Sequence, residues 1–365
     1  MTVALPDLQD VIRLRKAQQA ETLERLENSL RAEVFVEVIS EAVRDRFAIQ
    51  IRDARASLRE AAGLAAVKRI EQTTINELTR EVLAFLQAVA LRRSGLDNAT
   101  EVSQRMLNGL AKRAGVDREV LVAVDSAEFM KHTVSMIRAS FPDAGVWRLP
   151  ILVHELGHHV AYALWNRNPQ VEKRPVLQLL NGEPRLHELF ADTFATYTLG
   201  VAYPISVIAL NASTDPLSDT QSATHPSWRD RIETTIAALR AISQLPEATL
   251  EDAAFDIMGD LVQELWKSVG GHPSDRQAEL ADRAADMVIL LDLYAPRARY
   301  GLRGPTDALI ERLQHPGACM PKGDITIAHV INAAWRWRLY NLDAGLHQLA
   351  TVSDNALRWC TNAIV

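Results

Sequence analysis

Apolar residues recur every three or four positions through the first part of the chain, which is the spacing of one face of an amphipathic helix. The segment from Asp7 to about Glu60 is rich in Glu, Arg, Ala and Leu and contains no Gly or Pro. Its recurring apolar positions are Leu23, Leu26, Leu30, Val34, Phe47, Ile51, Ala54 and Leu58. The pattern predicts long helices that either pack on each other as a hairpin or offer a coiled-coil surface to a partner protein. Helical spacing resumes over residues 64–93 and 99–114.

The periodicity changes after Gly115. Two short β-branched runs, Glu119 to Val124 and Thr133 to Ser140, are followed by proline or glycine and are typical of strands. Beyond Pro226 the pattern is helical almost to the end of the chain. We therefore predict a mainly α (α+β) protein with a small β-sheet. The changes of pattern suggest a helical domain at 1–115, a core at 116–245 and a second helical domain at 246–365.

Composition narrows the class of protein. The chain has 365 residues, of which 48% are hydrophobic, and a formal net charge of -6. This charge gives no general attraction to nucleic acid or anionic lipid, so no nucleic-acid partner is expected. The start of the chain lacks the pattern of a secretory signal, and the longest nearly apolar stretch, Leu199 to Leu210, is too short to span a bilayer. The two cysteines form no CxxC pair. We expect a cytoplasmic protein without a membrane span.

The segment LPILVHELGHHVAYALW, Leu149 to Trp165, places three histidines and a glutamate in an apolar run. On a helix His154 and His158 project side by side, because residues four apart share a face. Glu155 lies next to that face. This is the HExxH pattern, in which two imidazoles hold zinc and the glutamate acts on a zinc-bound water. The alternative is a buried helix whose histidines bond to backbone. His159 would point about 100° away from the pair, as a supporting or structural residue.

A second helix is predicted about thirty residues later, in RLHELFADTFATYTLG. Glu188 and Asp192 lie four apart among its apolar residues, and two buried carboxylates on one face need a cation. Both carboxylates have a partner if Glu188 is the third zinc ligand and Asp192 accepts the far ring N–H of a zinc histidine. Coordination by His187 instead of Glu188 would make a three-histidine site. An ordinary solvated carboxylate pair is the remaining alternative.

HELGH followed by Glu-x-x-x-Asp resembles the gluzincin metallopeptidases, whose third zinc ligand is a glutamate on a second helix. A third block, THPSWRDRI, resembles the His-Pro-x-x-x-x-Arg segment of the CAAX prenyl endopeptidases and their bacterial membrane relatives, and here contains His225 and Arg231. The resemblance covers about Leu121 to Leu245. It implies a zinc-dependent endopeptidase that cleaves protein or peptide substrates, with Glu155 as general base. Unlike those relatives, this chain has no predicted membrane span.

The roles of His225 and Arg231 follow from this third block. We predict that His225 stands at a turn, with Pro226 at the first position of the following helix, and donates to the oxyanion of the substrate. Arg231 would point back toward the carboxylates of the site. An ordinary helix cap with surface charge is the alternative. Two other functions remain open: a helical scaffold or sensor with a structural or silenced zinc site, and a nucleic-acid-associated protease.

Overall fold

The structure of the protein is a computed structural model. It describes residues 8–31, 41–93, 98–116, 121–125, 129–131, 136–140, 145–167, 183–210, 212, 225–245, 254–301, 306–341 and 343–363. The helices are α1 Leu8–Arg31, α2 Glu41–Glu60, α3 Leu64–Ile70, α4 Asn76–Arg93, α5 Asn98–Arg113, α6 Leu149–Arg167, α7 Pro184–Leu199, α8 Ala202–Leu210, α9 Trp228–Ser243, α10 Ala254–Ser268, α11 Gln277–Tyr294, α12 Thr306–Leu313, α13 Ile327–Tyr340 and α14 Leu346–Asn362. A π-helical turn spans Glu71–Ile75, and a 3₁₀ turn spans Pro296–Ala298. The mainly α prediction is confirmed. No helix of the described residues is both long and apolar enough to cross a membrane.

Three short strands are described: β1 Leu121–Asp125, β2 Phe129–Lys131 and β3 Met136–Ser140. β1 and β3 overlap the two predicted strands and begin two and three residues after the predicted starts, and β2 was not predicted. β2 and β3 pair antiparallel, with Met130 opposite Ile137. Strand is thus a minor part of the described chain, and the zincin-type sheet remains a prediction.

The described chain divides into two compact units, and the division differs from the predicted domains. Unit 1 comprises residues 1–97 and 121–125, and unit 2 comprises 98–120 and 126–365. The predicted boundary at 245 does not separate units, because α10 and α11 pack on α9. The boundary at 115 also falls inside unit 2. The reason is that α5 packs on α6 and α14, and Arg105 of α5 donates to the carbonyl of Ala363 at 2.8 Å.

Unit 1 is an arrangement of helices in which α1 packs on α2. Arg55 pairs with Glu27 at 2.7 Å, and the Lys16 amine donates to the carbonyl of Arg59, so the two helices run antiparallel. The predicted apolar face is buried at Leu23, Leu26, Leu30, Phe47, Ile51, Ala54 and Leu58. These contacts support the hairpin interpretation, whereas Val34 lies outside the described residues. β1 packs against α4 within this unit.

Helix α7 is the centre of unit 2. It packs against α6, α9, α11 and α13, and every residue from Leu189 to Leu199 is buried. A helix with no solvent face can carry polar groups only where the neighbouring helices supply partners. Its end is fixed by Asn332 of α13, whose side-chain amide donates to the carbonyl of Leu199 and accepts from the N–H of Ala202 in α8. The α7–α8 corner is therefore held by a buried side chain from more than a hundred residues away.

Candidate metal centre

Two histidines of α6 point toward α7. His154 is buried, the His158 side chain is only 12% exposed, and their rings meet edge to face with centroids 5.0 Å apart. Glu155 is partly buried on the same helix. The helix therefore brings the two imidazoles together, as the spacing predicts.

Glu188 of α7 completes a group of three. Its Oε2 lies 3.4 Å from His154 Nε2, and its Oε1 lies 3.5 Å from His158 Nε2. One ligand atom from each residue lies within 4.8 Å of the others. Ligand atoms bonded at about 2.0–2.1 Å in a tetrahedron are roughly 3.4 Å apart, so these separations fit zinc, and two imidazoles with one carboxylate form a known catalytic zinc set.

A glycine allows α6 and α7 to approach this closely. A Cβ on Gly157 would lie 2.7 Å from the Cα of Ala191 and 3.1 Å from its carbonyl oxygen. Gly157 lies between the two histidines on α6, and Ala191 lies three residues after Glu188 on α7. The close approach at Gly157 is therefore the contact between the two helices that carry the three candidate ligands.

A second layer of polar groups surrounds His154. Its Nδ1 is 3.0 Å from Asp192 Oδ1 and 3.0 Å from the Tyr203 hydroxyl. The Tyr203 hydroxyl donates in turn to Asp192, and its ring lies parallel to the imidazole at 6.0 Å. A carboxylate on Nδ1 favours a proton on that nitrogen, so Nε2 is the nitrogen that would bind a metal. This matches the arrangement predicted for Asp192.

Arg231 of α9 binds the same carboxylate. Its Nε and Nη2 donate to the two oxygens of Asp192 at 2.9 and 2.7 Å, and its guanidinium lies over the Trp228 ring. Nη2 also lies 3.7 Å from Glu188 Oε2. A bidentate arginine fixes the carboxylate plane as well as its charge. Truncating a buried partner such as Arg231 typically costs about 3–5 kcal/mol, because the remaining charge stays buried.

These contacts displace the pKa values of the buried groups. Burial alone lowers the pKa of His154, but Asp192 and Glu188 outweigh it and raise that pKa to about 9. Burial alone raises the pKa of Glu188, but His154, His158 and Arg231 outweigh it and lower that pKa to about 2. The pKa of Asp192 is also lowered, against the effect of burial, chiefly by Arg231. Both carboxylates are therefore ionised at neutral pH.

His225 lies at the solvent side of the group. Its side chain is 59% exposed, and its Nε2 is 3.6 Å from Glu188 Oε1. The prediction for Pro226 is wrong: helix α9 begins at Trp228, and Ser227 is its N-cap, accepting from the N–H of Asp230. Ser227 followed three residues later by an acidic residue is a recognisable start signal. His225 therefore belongs to the segment before the cap.

The other candidate residues lie outside the group of three. His187 stacks on His158 with centroids 6.4 Å apart, and His159 is buried one position beyond His158. Among the described residues, His154, His158 and Glu188 are the only group of three or more that could hold a metal ion. Tyr203 was missed. Its signal is a tyrosine in the apolar run AYPISVIAL, because a buried tyrosine hydroxyl usually has a partner.

Comparison with known proteins adds no assignment: no protein-family model, curated protein or solved structure matches this chain. The resemblance to gluzincins therefore rests on the three sequence motifs.

Proposed function

We propose that this protein is a zinc-dependent endopeptidase of gluzincin type with a zincin-like core. The observation that supports this most strongly is the convergence of two imidazoles and a carboxylate from two buried helices, with a glutamate beside them. When bound, zinc would polarise the scissile carbonyl and lower the pKa of a water. His154, His158 and Glu188 would hold it, and Asp192 would orient His154.

Glu155 is the general base in this proposal. It follows His154 directly in the chain and is not one of the three ligand residues. A carboxylate in this position takes a proton from the attacking water and passes it to the leaving amine. A purely structural zinc site needs no such residue.

His225 and Arg231 have separate roles. The exposed imidazole of His225, 3.6 Å from Glu188, is close enough to the group to donate a hydrogen bond to substrate oxygen as negative charge develops there. Arg231 contacts Asp192 and acts by positioning it. On sequence grounds, the proposal also includes protein or peptide substrates and a cytoplasmic location. It assigns the N-terminal helices a partner-binding role.

A structural or silenced site is the second candidate, because one observation favours it. Arg231 balances Asp192, and a protonated His154 would balance Glu188, so the buried charges could compensate one another without a cation. The network would then serve as a buried ionic cluster that fixes the packing of α6, α7 and α9. The two candidates differ in zinc content and in hydrolysis.

Elemental analysis and a peptide-cleavage assay separate them. We expect one zinc per chain in the wild type and in Glu155→Gln, and a substantial loss of zinc in His154→Ala and His158→Ala. Glu155→Gln should lower hydrolysis of a quenched fluorescent peptide library about 10²- to 10⁴-fold. A wild-type chain that binds no zinc would reject the proposal. The assigned mechanism would be rejected if the wild type and Glu155→Gln both bind zinc and cleave the peptides at the same rate. It would also be rejected if both bind zinc and neither cleaves.

A further inference from the structure

The face of α6 that carries His154 and His158 continues to Tyr162. The three residues are four apart, so they lie on one side of the helix, each about 6 Å further along its axis. Exposure to solvent rises in the same direction: His154 is buried, the His158 side chain is 12% exposed, and Tyr162 is 37% exposed. Among the described side chains of α6, from Leu149 to Leu164, that of Tyr162 is the only exposed one. The ligand-bearing face of α6 therefore meets solvent at Tyr162.

His187 of α7 links Tyr162 to the candidate ligands. Its ring centroid lies 5.0 Å from that of Tyr162, with the planes tilted by 34°, and 6.4 Å from that of His158. Both separations are typical of aromatic contacts. His187 is partly buried and directly precedes Glu188. Tyr162, His187 and His158 thus form a row of rings that runs from solvent to the candidate ligands, and we call it the aromatic row.

The position of the aromatic row suits contact with a bound peptide. A single exposed tyrosine is ordinary on a protein surface, but the ring of Tyr162 belongs to a row that reaches a candidate ligand. A peptide whose scissile carbonyl lies at the metal would approach from this exposed end of the ligand-bearing face. Consecutive Cα atoms are about 3.8 Å apart, so a residue within two positions of that carbonyl would lie over the aromatic row.

We propose that the aromatic row is a substrate subsite, which selects a large aromatic or aliphatic side chain within two residues of the cleaved bond. The inference rests on the proposed peptidase function and names its substrate class. Ring faces offer a rigid apolar surface, which favours another ring or a branched hydrocarbon. Cations also bind ring faces, but zinc held by His158 would repel them. Tyr162 and His187 would contact the substrate side chain and determine specificity.

Binding of two blocked tripeptides tests the subsite without requiring catalysis. The peptides acetyl-Gly-Phe-Gly-amide and acetyl-Gly-Ala-Gly-amide differ only in the central side chain. They are titrated into full-length Glu155→Gln protein, with zinc added, and binding is followed by ligand-observed NMR. We expect the phenylalanine peptide to bind about 10-fold more tightly, because its ring gains stacking and apolar burial.

Tyr162→Ala, made in the same background, should remove most of this difference, whereas Tyr162→Phe keeps the ring and should keep it. Tyr294→Ala is the matched control, because Tyr294 is 39% exposed and lies two residues after Asp292. Asp292 accepts from Tyr197, toward the other end of α7 from Glu188. The control should bind both peptides like its parent. Equal binding of the two peptides, or an unchanged difference in Tyr162→Ala, would overturn the proposal.

Cleavage by the wild type separates the subsite from the peptidase function. A mixed peptide library is digested, and mass spectrometry of the products shows which residues flank the cut. We expect large aromatic and aliphatic residues to be enriched about 10-fold in the wild type, and this enrichment to fall in Tyr162→Ala at unchanged zinc content. Cleavage without preference, or with preference for lysine and arginine, would overturn the subsite but not the peptidase. Peptide binding that depends on Tyr162, without cleavage by the wild type, would reject the peptidase and support the subsite.

Discussion

Adding one methyl group at Gly157 tests whether the approach of α6 and α7 forms the metal centre. In Gly157→Ala the new Cβ would lie 2.7 Å from the Ala191 Cα, and ordinary contact begins at 3.4 Å, so the helices must separate by about 0.7 Å. The neighbour is backbone and cannot rotate away. Ligand distances in metal sites tolerate only about ±0.2 Å, so this shift should disturb the geometry between Glu188 and the two histidines.

The size of the effect follows from the cost of overpacking. Inserting a methyl into a packed contact typically costs about 1–3 kcal/mol. The metal-free protein can relieve this strain by separating the helices. Zinc binding must then bring the helices back together and restore the strain, which weakens zinc affinity about 5- to 150-fold. Without metal, the free energy of unfolding should fall by no more than this overpacking cost of about 1–3 kcal/mol. Part of the cost is offset because alanine favours the helix by about 1 kcal/mol over glycine.

Gly259→Ala is the matched control. Gly259 lies within α10, and a Cβ there would meet the flexible Arg240 side chain at 3.4 Å and the carbonyl oxygen of Ile236 at 3.7 Å, both ordinary contact distances. We expect it to be neutral or slightly stabilising. Zinc affinity is measured by competition with a fluorescent chelator, and stability by urea unfolding in EDTA. Wild-type zinc affinity in Gly157→Ala would refute the argument that this helix contact sets the ligand geometry.

Four further predictions concern the residues around the centre. Glu188→Ala should lose zinc while His187→Ala retains it, as measured by elemental analysis, and the reverse order would indicate a three-histidine site. Tyr203→Phe should weaken zinc binding roughly 10-fold by releasing Asp192 and His154, with no change in helical circular dichroism; unchanged affinity would make the hydroxyl merely structural. His225→Ala should lower kcat about 10²-fold with little change in KM or zinc content, and normal turnover would remove it from the active site. Asn332→Leu should lower the free energy of unfolding in urea by about 2–5 kcal/mol, because two buried backbone groups at the α7–α8 corner lose their partner; a smaller change would show that water replaces it.

The pairing of the candidate ligands within each helix was predictable because it depends on helix periodicity. Residues four apart share a face whatever the tertiary structure, so His154 with His158 and Glu188 with Asp192 could be paired from the sequence alone. Burial of those carboxylates then required a cation or a donor, and the structure supplies Arg231 for Asp192.

The remaining partners depend on contacts between distant segments. In the sequence, Tyr203 and Asn332 look like ordinary core residues of apolar helices. In the fold, Tyr203 contacts Asp192 and Asn332 contacts the α7–α8 corner. The two compact units divide near residue 97 and not at the predicted 115 for the same reason, because α5 meets the end of the chain through Arg105 and Ala363. Periodicity predicts which face of a helix is buried, but not which helix covers it.

The complete burial of α7 has a consequence for how metal could leave the protein. Its residues from Leu189 onward have no solvent face, so their amide hydrogens should exchange with deuterium only when unit 2 unfolds cooperatively. Fraying of the helix is therefore not an available route for displacing Asp192. Glu188 lies near the start of α7, before the fully buried stretch, so zinc held by the proposed ligands would leave through motions of that first part of the helix and of the partly exposed His158. The Asp192 side of the site would stay in place for the lifetime of the folded chain.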